Sequence, residues 1–319
     1  RDVLGSRGLG DVYKRQVDES SMMDMWLARK FFSRIGPDTK VLLVGDADQL
    51  QSVGAGDVFR ELINCGLIPV TVLNEIFRQK KDSLIAYNAQ KINNNDTSFF
   101  YGNDFTVCKC ANQEEAAERI RNIYLAQVEQ YGIDRVQILS PFRSTGAASA
   151  DQLNEAIREM VNPQTEEADL KVGSLYFRVG DKIMQNKNST KASNGDIGFI
   201  RSFRHDERDG MRISIQFSPM RVVEYSMEEM GHVELAYATT VHKAQGSEFD
   251  VVIFPLLRSH ARMLTRSLVY TAITRAKAKV ILVGQIGMLY MAVHKDDTGK
   301  RNTQLGRRIT LYVLSLIHI

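Results

Sequence analysis

Four short apolar runs constrain this chain more than any other feature: Val41-Leu42-Leu43-Val44, Val136–Ser140, Val251–Phe254 and Val280–Val283. They lack the alternation of a strand with one wet face, so they suit parallel strands buried on both faces. The first ends in a Gly45-Asp46 turn. Helical patterns lie between them. Asp24–Ile35 carries Met25, Trp26, Ala28, Phe31, Phe32 and Ile35 and is stopped by Pro37. Val58–Asn64, Ser83–Ile92, Glu114–Gln130, Ala150–Met160 and Arg266–Ala276 also read as helices, and Val70–Leu73 as a further strand. In Glu114–Gln130, Ala117, Ile120, Ile123, Tyr124 and Val128 fall at helical spacing. This alternation predicts a doubly wound α/β sheet.

The texture changes between Gly173 and Met230. Short strands at Lys182–Gln185, Gly198–Ile200, Arg212–Phe217 and Val222–Tyr225 are separated by Gly, Asn and Asp turns, the pattern of a small antiparallel β barrel. From Gly173 to Arg221 there are nine Lys or Arg and five Asp or Glu. This local excess offers a DNA-gripping surface, with Lys182 and Lys187 as its test residues; partner docking is the other reading. The chain as a whole has a net charge of +3, which neither argues for nucleic acid nor excludes it.

Three cysteines, Cys65, Cys108 and Cys110, are too few for a disulfide framework and favour a reducing compartment. Cys108-Lys109-Cys110 lacks ligand partners at zinc spacing and reads as alternate faces of a strand. No apolar run reaches the ~20 residues that span a bilayer, and no signal pattern opens the chain. The expected location is cytoplasmic. Residues 1–16, with Gly5, Gly8 and Gly10, and the abrupt apolar end 310–319 read as non-native leader and tail, a natural disordered arm being the alternative.

Several short motifs carry chemistry. Val17-Asp18-Glu19-Ser20 places two carboxylates at a strand end. In phosphoryl transfer such an Asp holds Mg²⁺ and an adjacent carboxylate orients the attacking water; a solvated turn is the plain alternative. Leu43-Val44-Gly45-Asp46-Ala47-Asp48-Gln49 ends a second strand, and the amide of Gln49 suits a γ-phosphate. Two such ends side by side line the crevice where α/β folds bind nucleotides. Asn74-Glu75-Ile76-Phe77-Arg78-Gln79 offers a guanidinium whose planar fork suits phosphate, or an ordinary surface Arg. Thr239-Thr240-Val241-His242-Lys243-Ala244-Gln245-Gly246-Ser247-Glu248 crowds into one turn the groups used against a phosphodiester backbone. Tyr270-Thr271-Ala272-Ile273-Thr274-Arg275 puts an Arg on an apolar helix, where it needs an anion: a core ion pair or a γ-phosphate.

In this order, DES, GDADQL, FRQ, NGDIG, TTVHKAQGSEFD and YTAITRAK resemble motifs II to VI of the superfamily 1 helicases. The wording is most similar to the RecD-like branch, the exodeoxyribonuclease V alpha-subunit family, then to the conjugative relaxase-helicases. Pro141-Phe142-Arg143 and Leu153-Asn154 also fit, and Gly180–Asn186 with Asn194–Gly198 resembles that branch's SH3-like insert. The resemblance covers roughly residues 17–290. It implies RecA-like parallel sheets of the P-loop NTPase type: 17–80 as the end of a first motor domain, 81–172 with 235–309 as a second, and 173–234 as the SH3-like insert.

The resemblance also assigns roles. Asp18 would hold Mg²⁺, Glu19 would be the general base, and Gln49 would couple the γ-phosphate to DNA. Arg78 and Arg275 would clamp the γ-phosphate. Asp46, Gln245, Gly246 and Glu248 would lie toward the nucleotide, and Thr240, His242 and Lys243 toward the DNA backbone. ATP and Mg²⁺ are the implied cofactors. Single-stranded DNA, duplex junctions and other subunits of a recombination nuclease are the implied partners. The implied activity is ATP-driven 5′→3′ translocation in DNA repair and recombination.

One departure is large. No G-x-x-x-x-G-K-[S/T] loop occurs in the 319 residues, and Gly5–Gly10 lacks the Lys-Ser/Thr that binds phosphate and Mg²⁺. The chain therefore reads as the C-terminal part of a helicase, inactive alone. The alternatives are the helicase part of a conjugative relaxase, and a DNA- or partner-binding module without motor activity. An unrelated α/β ATPase or nuclease fits poorly, since no clustered nuclease set of Asp, Glu and Lys is present.

Overall fold

The computed structural model describes residues 14–73, 83–165, 169–207, 210–296, 301 and 303–317. They form two compact units, one from residues 1–75 with 297–319 and one from 76–296.

The first unit is built on a two-stranded parallel pair. Strand β1 (Lys14–Val17) runs beside β2 (Lys40–Leu43), in register from Lys14↔Lys40 to Val17↔Leu43. Residues 14–16, polar and set aside above with the leader, thus continue this strand; backbone pairing needs no apolar side chain. Helix α1 (Met25–Phe32) connects the two strands, its first turn capped by Asp24, whose Oδ1 accepts from Leu27 N at 2.7 Å. Helix α2 (Val58–Asn64) follows. Met23, Ala28 and Val58 form a small core, with Val17, Phe31, Leu62 and Leu305 packed on it. Leu305 opens a helix, Leu305–Ile317, that takes in most of the apolar end set aside above.

Two expectations fail in this unit. β2 is not buried on both faces: Lys40 and Leu42 are exposed, because among the described residues it has one neighbouring strand. Val70–Leu73 forms no strand. It follows Pro69, pairs with no strand among the described residues, and leaves Val72 and Leu73 exposed.

The second unit begins with α3 (Leu84–Asn93), β3 (Phe105–Lys109), α4 (Gln113–Tyr131), β4 (Val136–Ser140) and α5 (Ala150–Val161). The first turn of α4 is held by Asn112, whose Oδ1 accepts from Glu115 N at 2.8 Å. Strands β5 (Leu170–Val172), β6 (Leu175–Phe177), β7 (Lys182–Gln185), β8 (Ile197–Asp206), β9 (Gly210–Ser218), β10 (Arg221–Ser226) and β11 (Val233–Leu235) come next. The chain then returns through β12 (Ala238–Thr240), β13 (Phe249–Leu256), α6 (Arg266–Thr274), β14 (Ala276–Gly284) and α7 (Ile286–His294).

Strands β12-β4-β13-β14-β3 make one sheet, parallel throughout. On one face Val136, Ile138, Val251, Ile253 and Val283 pack with Ile120 and Tyr124 of α4 and Leu153 and Ile157 of α5. Residues of the opposite parity, Leu139, Val252, Phe254, Val280 and Leu282, are also fully buried. Helices α6 and α7 touch β13 there, and α3 packs on α6. Burial on both faces is why these strands read as bare apolar runs; each such side chain contributes about 1.5–3 kcal/mol. This is the doubly wound α/β sheet expected. Cys108 lies in β3 with Cys110 just beyond it, and all three cysteines are free.

The insert is a five-stranded antiparallel sheet, β10-β9-β8-β7-β11, with the β5–β6 hairpin beside it. Phe177, Ile183, Ile200, Ile213, Ile215, Tyr225 and Met230 fill its core, and Leu170 and Val172 of the hairpin pack against them. The shared core explains why short strands, each too weak alone, hold together.

Its basic excess is mostly answered within the fold. Arg178 pairs with Asp169 at 2.9 Å, Lys191 with Glu229 at 2.6 Å, Arg221 with Asp196 at 2.5 Å and Arg204 with Glu224 at 3.2 Å. Lys182 corrects the reading of it as a DNA-gripping residue. It is fully buried, and Nζ donates to Ile133 O (2.9 Å), Val136 O (2.9 Å) and Gln137 Oε1 (3.0 Å). These hydrogen bonds anchor β7 to the entry of β4, and the buried amine cannot reach a ligand. Lys187 is exposed. No helix among the described residues is long and apolar enough to cross a membrane.

Candidate functional site

Four of the singled-out residues meet at the carboxyl ends of β1 and β2. The strands stay hydrogen-bonded to their last residues: Val44 N donates to Val17 O and Ser20 N to Val44 O, both at 2.8 Å. Asp18 and Glu19 therefore emerge beside Gly45-Asp46. Glu19 has φ 51 and ψ 39, a left-handed conformation rare for a non-glycine residue, and its N–H donates to Asp18 Oδ1 at 2.8 Å. The chain thus turns sharply, and two carboxylates leave one strand end. Asp18 is exposed and Glu19 half-buried.

Across the turn, Asp46 is a local organiser. Its Oδ1 accepts from Asp48 N and its Oδ2 from Gln49 Nε2, both at 3.0 Å. Gln49 is buried and so fixed in orientation. Gly45 is required by packing: a Cβ there would meet Ser21 N at 3.0 Å, Ser20 N at 3.1 Å and Phe59 Cε1 at 3.2 Å.

A second group lies in the other unit, on the turn between β12 and β13. Thr240 closes β12, and its carbonyl accepts from Lys243 N at 3.0 Å and Ala244 N at 3.2 Å. Gln245 N donates to His242 O at 3.4 Å, and Gly246 takes φ 77, which reverses the chain without strain. Thr240, His242, Lys243 and Gln245 are half-buried, while Gly246 and Glu248 are exposed. Burial holds the His242 imidazole below its ordinary pKa, so it is neutral at pH 7.

Arg275 caps the end of α6 and is 1% exposed. Its Nη1 donates to Ser247 O at 3.4 Å, and its carbonyl accepts from Phe249 N at 2.9 Å. The guanidinium thus braces the turn from beneath. Glu248, beside it, pairs with Lys277 at 2.8 Å. Arg78 lies outside the described residues.

Three charged residues neighbour this turn. Lys243 Nζ is ion-paired with Glu234, which also lies 3.5 Å from Arg143; Arg143 in turn lies 3.8 Å from Asp151. Glu234 and Asp151 carried no motif signal, and Arg143 only that of its Pro-Phe-Arg setting. Their partners are distant in sequence, so spacing could not show the cluster. Asn154, by contrast, has a visible task. Its Oδ1 accepts from Ala238 N at 2.7 Å and its Nδ2 donates to Leu235 O (3.1 Å) and Ala238 O (2.9 Å), clamping the entry of β12.

Among the described residues no group of three or more His, Cys, Asp and Glu is arranged to hold a metal ion. Mg²⁺ does not need one. It is usually held by one or two carboxylates together with substrate phosphates, and Asp18, an exposed hard-oxygen donor at a strand end, fits that requirement.

A parallel α/β sheet of the RecA type, an SH3-like insert and a polar turn at a strand end define the motor fold of P-loop helicases. Known proteins agree. Three family models match: an AAA domain over residues 15–109, the ATP-dependent RecD-like DNA helicase SH3 domain over 153–217 and the UvrD-like helicase C-terminal domain over 235–283. The ATP-dependent RecD2 DNA helicase of Deinococcus radiodurans is 32% identical over 92% of this chain and 39% of its own length. The RecBCD enzyme subunit RecD of Mycolicibacterium smegmatis is 28% identical over 92% of this chain and 53% of its own. The crystal structure of Pif1 helicase from Candida albicans shares the fold, with a TM-score of 0.54 at 16% identity over 96% of this chain and 77% of that one. The chain belongs to the RecD-like helicase family. It spans about two fifths to one half of the length of these two curated relatives.

Proposed function

We propose that this chain supplies part of an ATP-driven DNA helicase that moves 5′→3′ along single-stranded DNA in repair or recombination. The observation that carries the reading is the pairing of β1 with β2. It sets Asp18-Glu19 and Asp46-Gln49 at the carboxyl ends of adjacent parallel strands, where α/β folds bind nucleotides.

Asp18 is the residue that would hold Mg²⁺, which when bound neutralises phosphate charge. Glu19 orients and deprotonates the attacking water. Gln49, held by Asp46, reports the γ-phosphate through its amide. Arg78 and Arg275 supply positive charge to the transferring phosphoryl group, a contribution of about 10³–10⁵ in rate for an arginine finger. Gln245, Gly246 and Glu248 serve the nucleotide side of their turn, and Thr240, His242 and Lys243 the DNA backbone. The partners are single-stranded DNA, duplex junctions and the other subunits of a recombination nuclease, in the cytoplasm.

The 319 residues contain no phosphate loop, so this chain by itself does not turn over ATP; DNA-stimulated hydrolysis by the purified chain, lost in Glu19→Gln, would refute that. The assignment of roles is tested by joining the corresponding upstream region of the Deinococcus relative to residue 17. The chimera is expected to hydrolyse ATP when DNA is added, and Glu19→Gln to lower kcat by about 10²–10⁴. An unchanged rate in that variant rejects the role of Glu19.

A further inference from the structure

Two cations share one carboxylate at the carboxyl ends of β4 and β12. Arg143 follows the end of β4, and Lys243 lies in the turn after β12, the neighbouring strand. Both face Glu234 of β11: Lys243 Nζ is paired with Oε1, and Arg143 Nη2 lies 3.5 Å from Oε2. The Glu234 side chain is 16% exposed, that of Lys243 27% and that of Arg143 63%. Thr240, Asp151 and Asn154 line the same groove. Asp151 lies 3.8 Å from Arg143 and is itself half open to water. The best-buried anion among these residues is therefore Glu234.

A guanidinium, an ammonium and a Thr hydroxyl at the ends of adjacent parallel strands suit a phosphodiester oxygen. Here a carboxylate occupies that position between the cations. Carboxylate and phosphate compete for the same charge-assisted donors. Glu234 also belongs to the strand that returns the chain from the insert: β11 pairs with β7, and Leu235 O is held by Asn154.

We propose that Glu234 is an internal competitor for a DNA phosphate. In the free protein it neutralises Lys243 and Arg143; a bound phosphodiester takes both cations and releases the carboxylate. Occupancy of the groove and the seating of β11, hence of the insert, then share one ion pair. The proposal rests on the reading of Lys243 as a DNA-facing residue.

The test uses the full chain and a fluorescein-labelled oligothymidylate, with binding followed by anisotropy across a salt series. Glu234→Gln is expected to tighten binding roughly three- to tenfold and to steepen the log–log salt slope by about one. The gain should vanish when Lys243→Ala or Arg143→Ala is added. If Glu234→Gln does not fold, Glu234→Asp, which keeps the charge but withdraws the carboxylate by one methylene, is read in the same way with a smaller gain. Equal or weaker binding by the Glu234 variant overturns the proposal while leaving the DNA-facing reading intact. No binding by any form, wild type included, overturns both.

Discussion

Arg275, just past the end of α6, donates from Nη1 to the carbonyl oxygen of Ser247 at 3.4 Å. The contact ties two motifs, one on a helix end and one on a strand-connecting turn, into a single rigid piece. A fully buried guanidinium is costly to strand, and its loss leaves a void and an unanswered carbonyl.

Arg275→Ala is accordingly expected to lower stability by about 2–4 kcal/mol in urea unfolding, whether or not nucleotide is present. Arg275→Met, which refills the volume, should recover part of that loss. A variant as stable as wild type would show that the brace is dispensable.

Gly45 lies against the turn that carries Asp18 and Glu19, with backbone nitrogens 3.0 and 3.1 Å from where a Cβ would stand. Backbone cannot swing aside as a side chain can. Gly45→Ala should cost about 1–3 kcal/mol, measured as a lowered Tm.

Lys182 gives a pH-dependent signature. Burial pushes its ammonium down to about 7, whereas an unfolded lysine keeps its proton to about 10.4. Between these values the unfolded chain binds more protons, so folding is favoured as pH rises. The stability of wild type relative to Lys182→Met should therefore climb from about pH 7 toward about pH 10. Lys182→Ala should cost about 2–4 kcal/mol at pH 7, since three buried acceptors lose their donor.

His260 gives the opposite end of the scale. Its ring is buried 5.4 Å from that of Phe142, and burial pushes its pKa down to about 4. An unfolded histidine protonates near 6.5. The unfolded chain takes up the proton first as pH falls, so stability present above about 6.5 is lost toward pH 4. Thermal melts across this window should show a slope in wild type that is reduced in His260→Phe.

Much of this was legible in the sequence, because the signals were local. Bare apolar runs at Val136–Ser140, Val251–Phe254 and Val280–Val283 became the sheet centre, since strands covered on both faces cannot alternate. The change to short strands after Gly173 marked the insert, and the Asp18-Glu19 and Thr240–Glu248 motifs each lie on a turn after a strand. The same logic misled at Leu42 and Val70–Leu73, where apolar residues stand without a covering neighbour among the described residues. What tertiary structure alone decided is which charge meets which. Lys182 looked like a ligand-facing cation and is a core anchor, while Glu234 carried no motif and sits between two cations. Charge pairing depends on distance through space, and β11 brings Glu234 to Arg143 across a gap in sequence that no local pattern records.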